Sequence, residues 1–172
     1  MMYRDNRLNP IHEGTTGIQS LDLLARKVPQ NNLAGYQACL AAMESTIAQA
    51  QELDATAAAA AQLEDAIATL KQTTEFLLGS MLEKNIDLVL ANSVKYLELF
   101  GNVVIAWIWL WQGVIAAKAL SVDVHESEES FYRGKLQAMR YFFNYELPEI
   151  EVWAKILTDL DDTCYEMKAD WF

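Results

Sequence analysis

The sequence predicts an all-α protein: an up-down-up-down bundle of four long helices preceded by an extended segment and a short helix. Three observations carry this. Only three prolines and seven glycines interrupt 172 residues. The chain is rich in Ala, Leu, Gln, Glu and Met, the residues that lose least in a helix. Apolar residues recur at steps of three and four, the spacing that puts side chains on one helical face, and no stretch alternates as a strand would.

The first long helix is expected from Leu33 to about Leu53, capped by Asn31 or Asn32, with Tyr36, Leu40, Met43 and Ile47 on one face. Asp54 is the expected cap of the second. Its alanine run at residues 57–61 is helix-forming rather than a linker, and Leu63, Ile67, Leu70, Leu77 and Met81 carry its stripe to about Lys84. The Asn85 region ends it. A third helix is read from Leu90, Val94, Leu97, Val104, Ile108, Trp111 and Ile115, a stripe broken only by Gly101 and expected to pack along its whole length. After a polar, acidic connection at residues 121–127, Phe131, Ala138, Phe142, Tyr145, Val152 and Ile156 mark the last helix. Pro148 removes a donor and crowds the preceding turn, so a kink is expected between Asn144 and Leu147, or two helices end to end. The pattern leaves residues 159–172 without an assignment, folded back or loose.

One stretch tests a soluble reading. Residues 103–117 are strongly apolar, with Trp107, Trp109 and Trp111, yet a membrane span needs roughly 20 apolar residues, and Asn102, Gln112 and Lys118 bound or interrupt this run. A buried core helix is the expected role, with an oligomer interface as the alternative. Twenty-four acidic against 13 basic residues give a net charge of -11, which disfavours partners held through phosphates, since these need clustered Lys and Arg. Cys39 and Cys164 lack metal-type spacing and read as reduced, buried thiols. Nothing at the start has the plan of a signal peptide, so a cytoplasmic location is expected.

The first 28 residues stand apart. They run Tyr3-Arg4-Asp5-Asn6-Arg7-Leu8-Asn9-Pro10-Ile11-His12-Glu13-Gly14-Thr15-Thr16-Gly17-Ile18-Gln19 and then Ser20-Leu21-Asp22-Leu23-Leu24-Ala25-Arg26-Lys27-Val28. Pro10 biases Asn9 away from helix, Gly14 permits a tight turn, and Thr15 or Thr16 can cap a helix over residues 18–27. Glu13 thereby sits at a helix start. By itself that needs no function, because an acid there meets free amides and the helix dipole.

The same string is similar to the arginine-aspartate, glutamate-glycine-threonine and isoleucine-glutamine signature of the acyl-CoA dehydrogenases. It most resembles a bacterial branch with an added C-terminal helical region, which residues 131–149 (FYRGKLQAMRYFFNYELPE) resemble more loosely. The resemblance divides the chain into the end of a catalytic region at residues 1–28 and a helical bundle at residues 29–172. It implies oxidation of an acyl-CoA thioester to the 2,3-enoyl-CoA with FAD as cofactor and an electron-transferring flavoprotein as partner. Glu13 falls on the catalytic base, Thr15 and Gly17 on positions that approach the flavin, and Gly14 on one near the substrate. Homo-oligomers are expected. His12 stands where the family commonly has tyrosine, and Gly17 where an amide side chain is common. Arg4, Asp5 and Arg7 match the charged lead-in, with ion pairing at least as good an account of them.

The family's flavin and thioester sites are built mostly by upstream domains, so the chain looks like a domain or a truncated reading frame, inactive alone. Two other readings compete. A di-iron bundle would use Glu-x-x-His pairs, but the two histidines, His12 and His125, stand in no such pair, and no metal is expected. The other is a non-catalytic packing or oligomerisation module.

Overall fold

The computed structural model describes residues 15–122 and 125–171, and every regular element among them is helical. A short helix, α1 (Thr16–Asp22), leads into α2 (Gln30–Gln51), α3 (Ala57–Glu83), α4 (Ile86–Leu90), α5 (Ser93–Leu120), α6 (Glu126–Tyr141) and α7 (Glu149–Thr158), with a final 3-10 turn at Ala169–Trp171. The all-α class is the expected one, and the four long segments lie where the apolar spacing puts them. α5 stands at the centre, touching α1, α2, α3, α6 and α7.

The two helix breaks share one device. Leu23–Lys27 and Phe142–Glu146 are each a single π-helical turn. In each, the next amide reaches back five residues, Val28 N to Leu23 O and Leu147 N to Phe142 O, both at 2.9 Å. A proline follows immediately, Pro29 or Pro148. Its ring would strike the carbonyl four residues back and it has no N–H to offer, so a widened turn absorbs both problems. The break expected before Pro148 is present, as a π turn between two helices set end to end. Its counterpart before Pro29 was not read from the sequence.

Several local expectations are corrected. Asn31 and Asn32 do not cap a helix. With Leu33 they form a left-handed run, φ 52°, 54° and 65°, at the bend that starts α2. Asparagine tolerates that region and leucine does not, so any strain there concentrates at Leu33. Asp54 lies in the turn, and Thr56 occupies the cap position of α3. The Thr56 hydroxyl donates to Ala50 O at 2.7 Å and so closes the α2–α3 connection. Asn85 does not merely end α3: its side chain accepts from Asp87 N and caps the separate short helix α4. The tail folds back. Asn92 Nδ2 donates to Asp161 O and Asn85 Nδ2 to Tyr165 Oη, each at 2.7 Å.

The largest correction concerns α5. The stripe read from Leu90 through Ile115 is its less buried side, with Trp111 and Ile115 exposed. The packed face is instead Tyr96, Leu99, Val103, Ala106, Leu110 and Val114. Hydropathy and length alone would let α5 cross a membrane, with a mean hydropathy of 1.7 over its most apolar window. Its packed face nonetheless completes the core shared with Leu63, Leu70, Leu77, Phe143 and Leu157, where each large apolar side chain contributes about 1.5–3 kcal/mol. Cys39 is half-buried and Cys164 exposed, so the expectation of two buried thiols fails at Cys164.

Candidate functional site: the start of α1

Glu13 and Gly14 lie outside the described residues. Thr15 and Gly17 lie within them, on the first turn of α1. Thr15 holds the cap position with φ −114° and ψ 12°, and its backbone carbonyl accepts from Gln19 N at 2.9 Å. Its hydroxyl does not bond the free amides of the first turn. It accepts instead from the Gln19 side chain, Nε2 to Oγ1, at 2.9 Å. By helix geometry the amides of Thr16, Gly17 and Ile18 have no acceptor inside α1.

What holds this turn in place is Ser20, which the sequence did not single out. The Ser20 hydroxyl donates to Gly17 O at 2.7 Å and stands 3.0 Å from the Ser93 hydroxyl, in a buried contact with the first residue of α5. One turn on, Leu24 is fully buried in the core, and Val28 follows it. The Arg26–Asp22 ion pair lies on the exposed side. An apolar core offers little use for a hydroxyl, so Ser20 and Ser93 each supply the partner the other needs. The periodicity of residues 18–27 marks Leu24, but a serine at a buried position leaves no apolar signal.

With Ser20 and Leu24 turned inward, Thr15, Thr16, Gly17, Ile18 and Gln19 all face outward. A Cβ placed on Gly17 would meet no heavy atom within 4 Å. This turn therefore presents free amides, one threonine hydroxyl and a glycine with open space above it. A planar ring edge or an anionic group could come within hydrogen-bond distance of that backbone without displacing a side chain. Among the described residues no group of three His, Cys, Asp or Glu is placed to hold a metal ion.

In the core two tyrosines face α3. Tyr96 Oη and Thr74 Oγ1 are 2.8 Å apart, and Thr74 donates onward to Leu70 O at 2.7 Å. Tyr36, packed on Phe100, has a buried hydroxyl without a hydrogen-bond partner of acceptable geometry. Burial raises the pKa of both phenols above the ordinary value, and proximity to Thr74 opposes this only partly.

The chain matches the family described as acetyl-CoA dehydrogenase C-terminal like over residues 39–168, and it belongs to that family. It is a C-terminal helical region of the acyl-CoA dehydrogenases. It is 24% identical over 169 residues to the broad-specificity linear acyl-CoA dehydrogenase FadE5 of Mycobacterium tuberculosis, covering 95% of this chain and 28% of that protein. It is 31% identical over 173 residues to the 3-methylmercaptopropionyl-CoA dehydrogenase of Ruegeria pomeroyi, covering 94% of this chain and 27% of that protein. The chain thus spans little more than a quarter of the length of these curated relatives.

Proposed function

We propose that this chain is the C-terminal part of a FAD-dependent acyl-CoA dehydrogenase, and that Glu13 is the base that removes the α-proton of the acyl-CoA thioester. The observation that carries this reading is the reach of the two alignments. They cover 95% and 94% of the chain, leaving fewer residues over than the twelve that precede Glu13. Both therefore run through Glu13-Gly14-Thr15. The outward-facing first turn of α1 supports it, since a surface meant to meet cofactor and substrate has to be left bare by its own bundle.

The chemistry needs a carboxylate at this place. The proton beside a thioester carbonyl is too weakly acidic for a carboxylate in water, but a dry apolar pocket raises the carboxylate's pKa, and hydrogen bonds to the thioester oxygen steady the negative charge that develops there. In this reading the Glu13 amide donates one of those bonds, Gly14 lets the thioester lie close to the backbone, and Thr15 and Gly17 border the flavin. The flavin, when bound, supplies the acceptor for the hydride leaving the neighbouring carbon. Ser20, through Ser93, fixes the angle at which the turn is offered, because a proton can be taken only across a short, aligned approach.

We place the junction between the catalytic region and the bundle at residues 28 and 29, the enzyme in the cytoplasm, and an electron-transferring flavoprotein as its electron acceptor. The chain by itself is expected to be folded, helical, colourless and inactive, the remaining walls of the site being supplied by other domains. The test is Glu13→Gln in the polypeptide that joins this chain to flavin-binding domains. Loss of turnover, with flavin content and helical signal unchanged, is the expected result. Full turnover in that variant would end the assignment.

A further inference from the structure

The alanine-rich start of α3 leaves a gap in the bundle. Ala55, Ala58 and Ala61 follow one another at steps of three and are all exposed, with no side chain long enough to reach a neighbouring helix. On the far side of the gap, α6 packs on α5 rather than on α3. Between them lies a concavity of about 940 Å³, floored by Leu120, Leu136, Met139 and Phe143. Sites for small ligands are of this kind: roughly 300–1,000 Å³, mostly apolar, with a few converging polar groups. Ser93 and Leu120 stand at opposite ends of α5, about 40 Å apart at 1.5 Å per residue. The concavity is therefore remote from the first turn of α1.

The second bank shows what kind of ligand. Arg133, Gln137, Arg140 and Asn144 recur at steps of four, three and four along α6 and the π turn after it, and all four line the concavity. Arg133 is engaged by Glu129 at 2.7 Å. Arg140 enters no ion pair among the described residues. An exposed arginine needs no partner in water; the informative feature is the apolar wall facing this one. Asp54, on the alanine bank, is the one acid that lines the concavity. Its lining is thus net basic in a chain of net charge -11. The concavity between α2 and α3 is the reverse, lined by Glu44 and Glu64 against Lys71.

We propose that this groove binds an amphiphile with one anionic head and one hydrocarbon chain, a long-chain carboxylate by chemical class. The carboxylate takes the Arg140 guanidinium as a two-pronged donor, and the Gln137 and Asn144 side-chain amides, one turn to either side, donate to its remaining lone pairs. The hydrocarbon lies along the alanine bank over Leu120 and Leu136. Each half of the ligand answers one half of the groove. An inorganic anion leaves the apolar floor uncovered, and an uncharged chain leaves the basic bank unmatched. This assignment does not depend on the catalytic role of Glu13.

The test is calorimetric titration of the 172-residue chain with dodecanoate below its micelle concentration, with amide chemical shifts recorded alongside to locate the site. Dodecyltrimethylammonium, with the same chain and the opposite charge, and acetate, with the same head and no chain, are the comparisons. Dodecanoate is expected to bind at one site and about tenfold or more tighter than either, although a chain of this net charge attracts the cation everywhere else. Shifts are expected at Ala55, Ala58, Gln137 and Arg140. Arg140→Ala removes the charge-assisted pair and is expected to weaken dodecanoate about tenfold or more. Ala58→Phe fills the groove and is expected to weaken it as much. Both replace exposed side chains, and an unchanged helical signal verifies the fold. No saturable binding of dodecanoate overturns the proposal. Native affinity in either variant, a cation bound as tightly, or shifts centred on Trp111 and Ile115 of the exposed α5 face also overturns it.

Discussion

The hydroxyls of Ser20 and Ser93, 3.0 Å apart and sealed from solvent, join the first helix to the central one. The two are not equivalent, because Ser20 also donates to Gly17 O and Ser93 has only Ser20 as a side-chain partner. Ser20→Ala leaves the Ser93 hydroxyl buried and unpaired, which costs about 1–3 kcal/mol. Ser93→Ala retains the bond from Ser20 to Gly17 O and should cost less. Removing both should cost less than the sum of the two, because the stranded hydroxyl is gone. Denaturant titrations of the four proteins check this, and strict additivity would show that the contact carries no coupling.

At Gly113 the central helix packs tightly against α6. A Cβ there would lie 2.4 Å from Met139 Sδ and 3.3 Å from Thr56 Cγ2. Met139 is fully buried, so it can move only by disturbing its neighbours. Gly113→Ala is expected to destabilise by about 1–3 kcal/mol, as overpacking does. Shortening the obstacle with Met139→Ala opens a cavity of its own, and Gly113→Ala in that background should be close to neutral or stabilising. Thermal or denaturant unfolding distinguishes this from a helix-propensity effect, which would favour alanine in both backgrounds.

The two buried tyrosines should respond in opposite senses to loss of their hydroxyls. Tyr36→Phe removes a group that burial leaves unpaired and is expected to be neutral or to stabilise by up to about 1 kcal/mol. Tyr96→Phe breaks the contact with Thr74 and is expected to cost about 1 kcal/mol.

These phenols also give the protein an alkaline limit. Desolvation raises both above the ordinary value of 10.0. The folded chain therefore keeps protons that the unfolded chain releases. Their contribution is complete below that ordinary value and is lost as pH rises above it. Unfolding free energy should fall with pH in that range, and less steeply in Tyr96→Phe than in the native protein. An unchanged slope would show that Tyr96 ionises as easily in the fold as outside it.

The parts of the fold that were legible are those where one face is apolar and the other is not. Leu63, Ile67, Leu70 and Leu77 all lie buried on α3 as their spacing implies, and Pro148 announced the break it causes. The phase of α5 was illegible for a physical reason. Periodicity locates a buried face only by contrast, and a helix apolar nearly all round offers none, so the stripe through Trp111 and Ile115 looked as much like a core as the one through Leu99 and Val103. Turn chemistry was ambiguous in a similar way. Asp54 and Thr56 are both good caps, and Asn31 and Asn32 serve equally as caps or as left-handed residues. At the candidate site, resemblance supplied Glu13, Gly14, Thr15 and Gly17, and no pattern of residues would have done so. Ser20 gave no signal because its role depends on what the central helix brings beside it.

The central claim is that Glu13 takes a proton from the carbon next to the thioester carbonyl. Its most direct measurement is exchange of that proton with deuterated solvent, followed by mass spectrometry of the recovered acyl-CoA, in the flavin-containing polypeptide that includes this chain. Exchange in the native protein and none above background in Glu13→Gln, with flavin content unchanged, is the result expected of the base. Exchange at the native rate in Glu13→Gln would contradict the account.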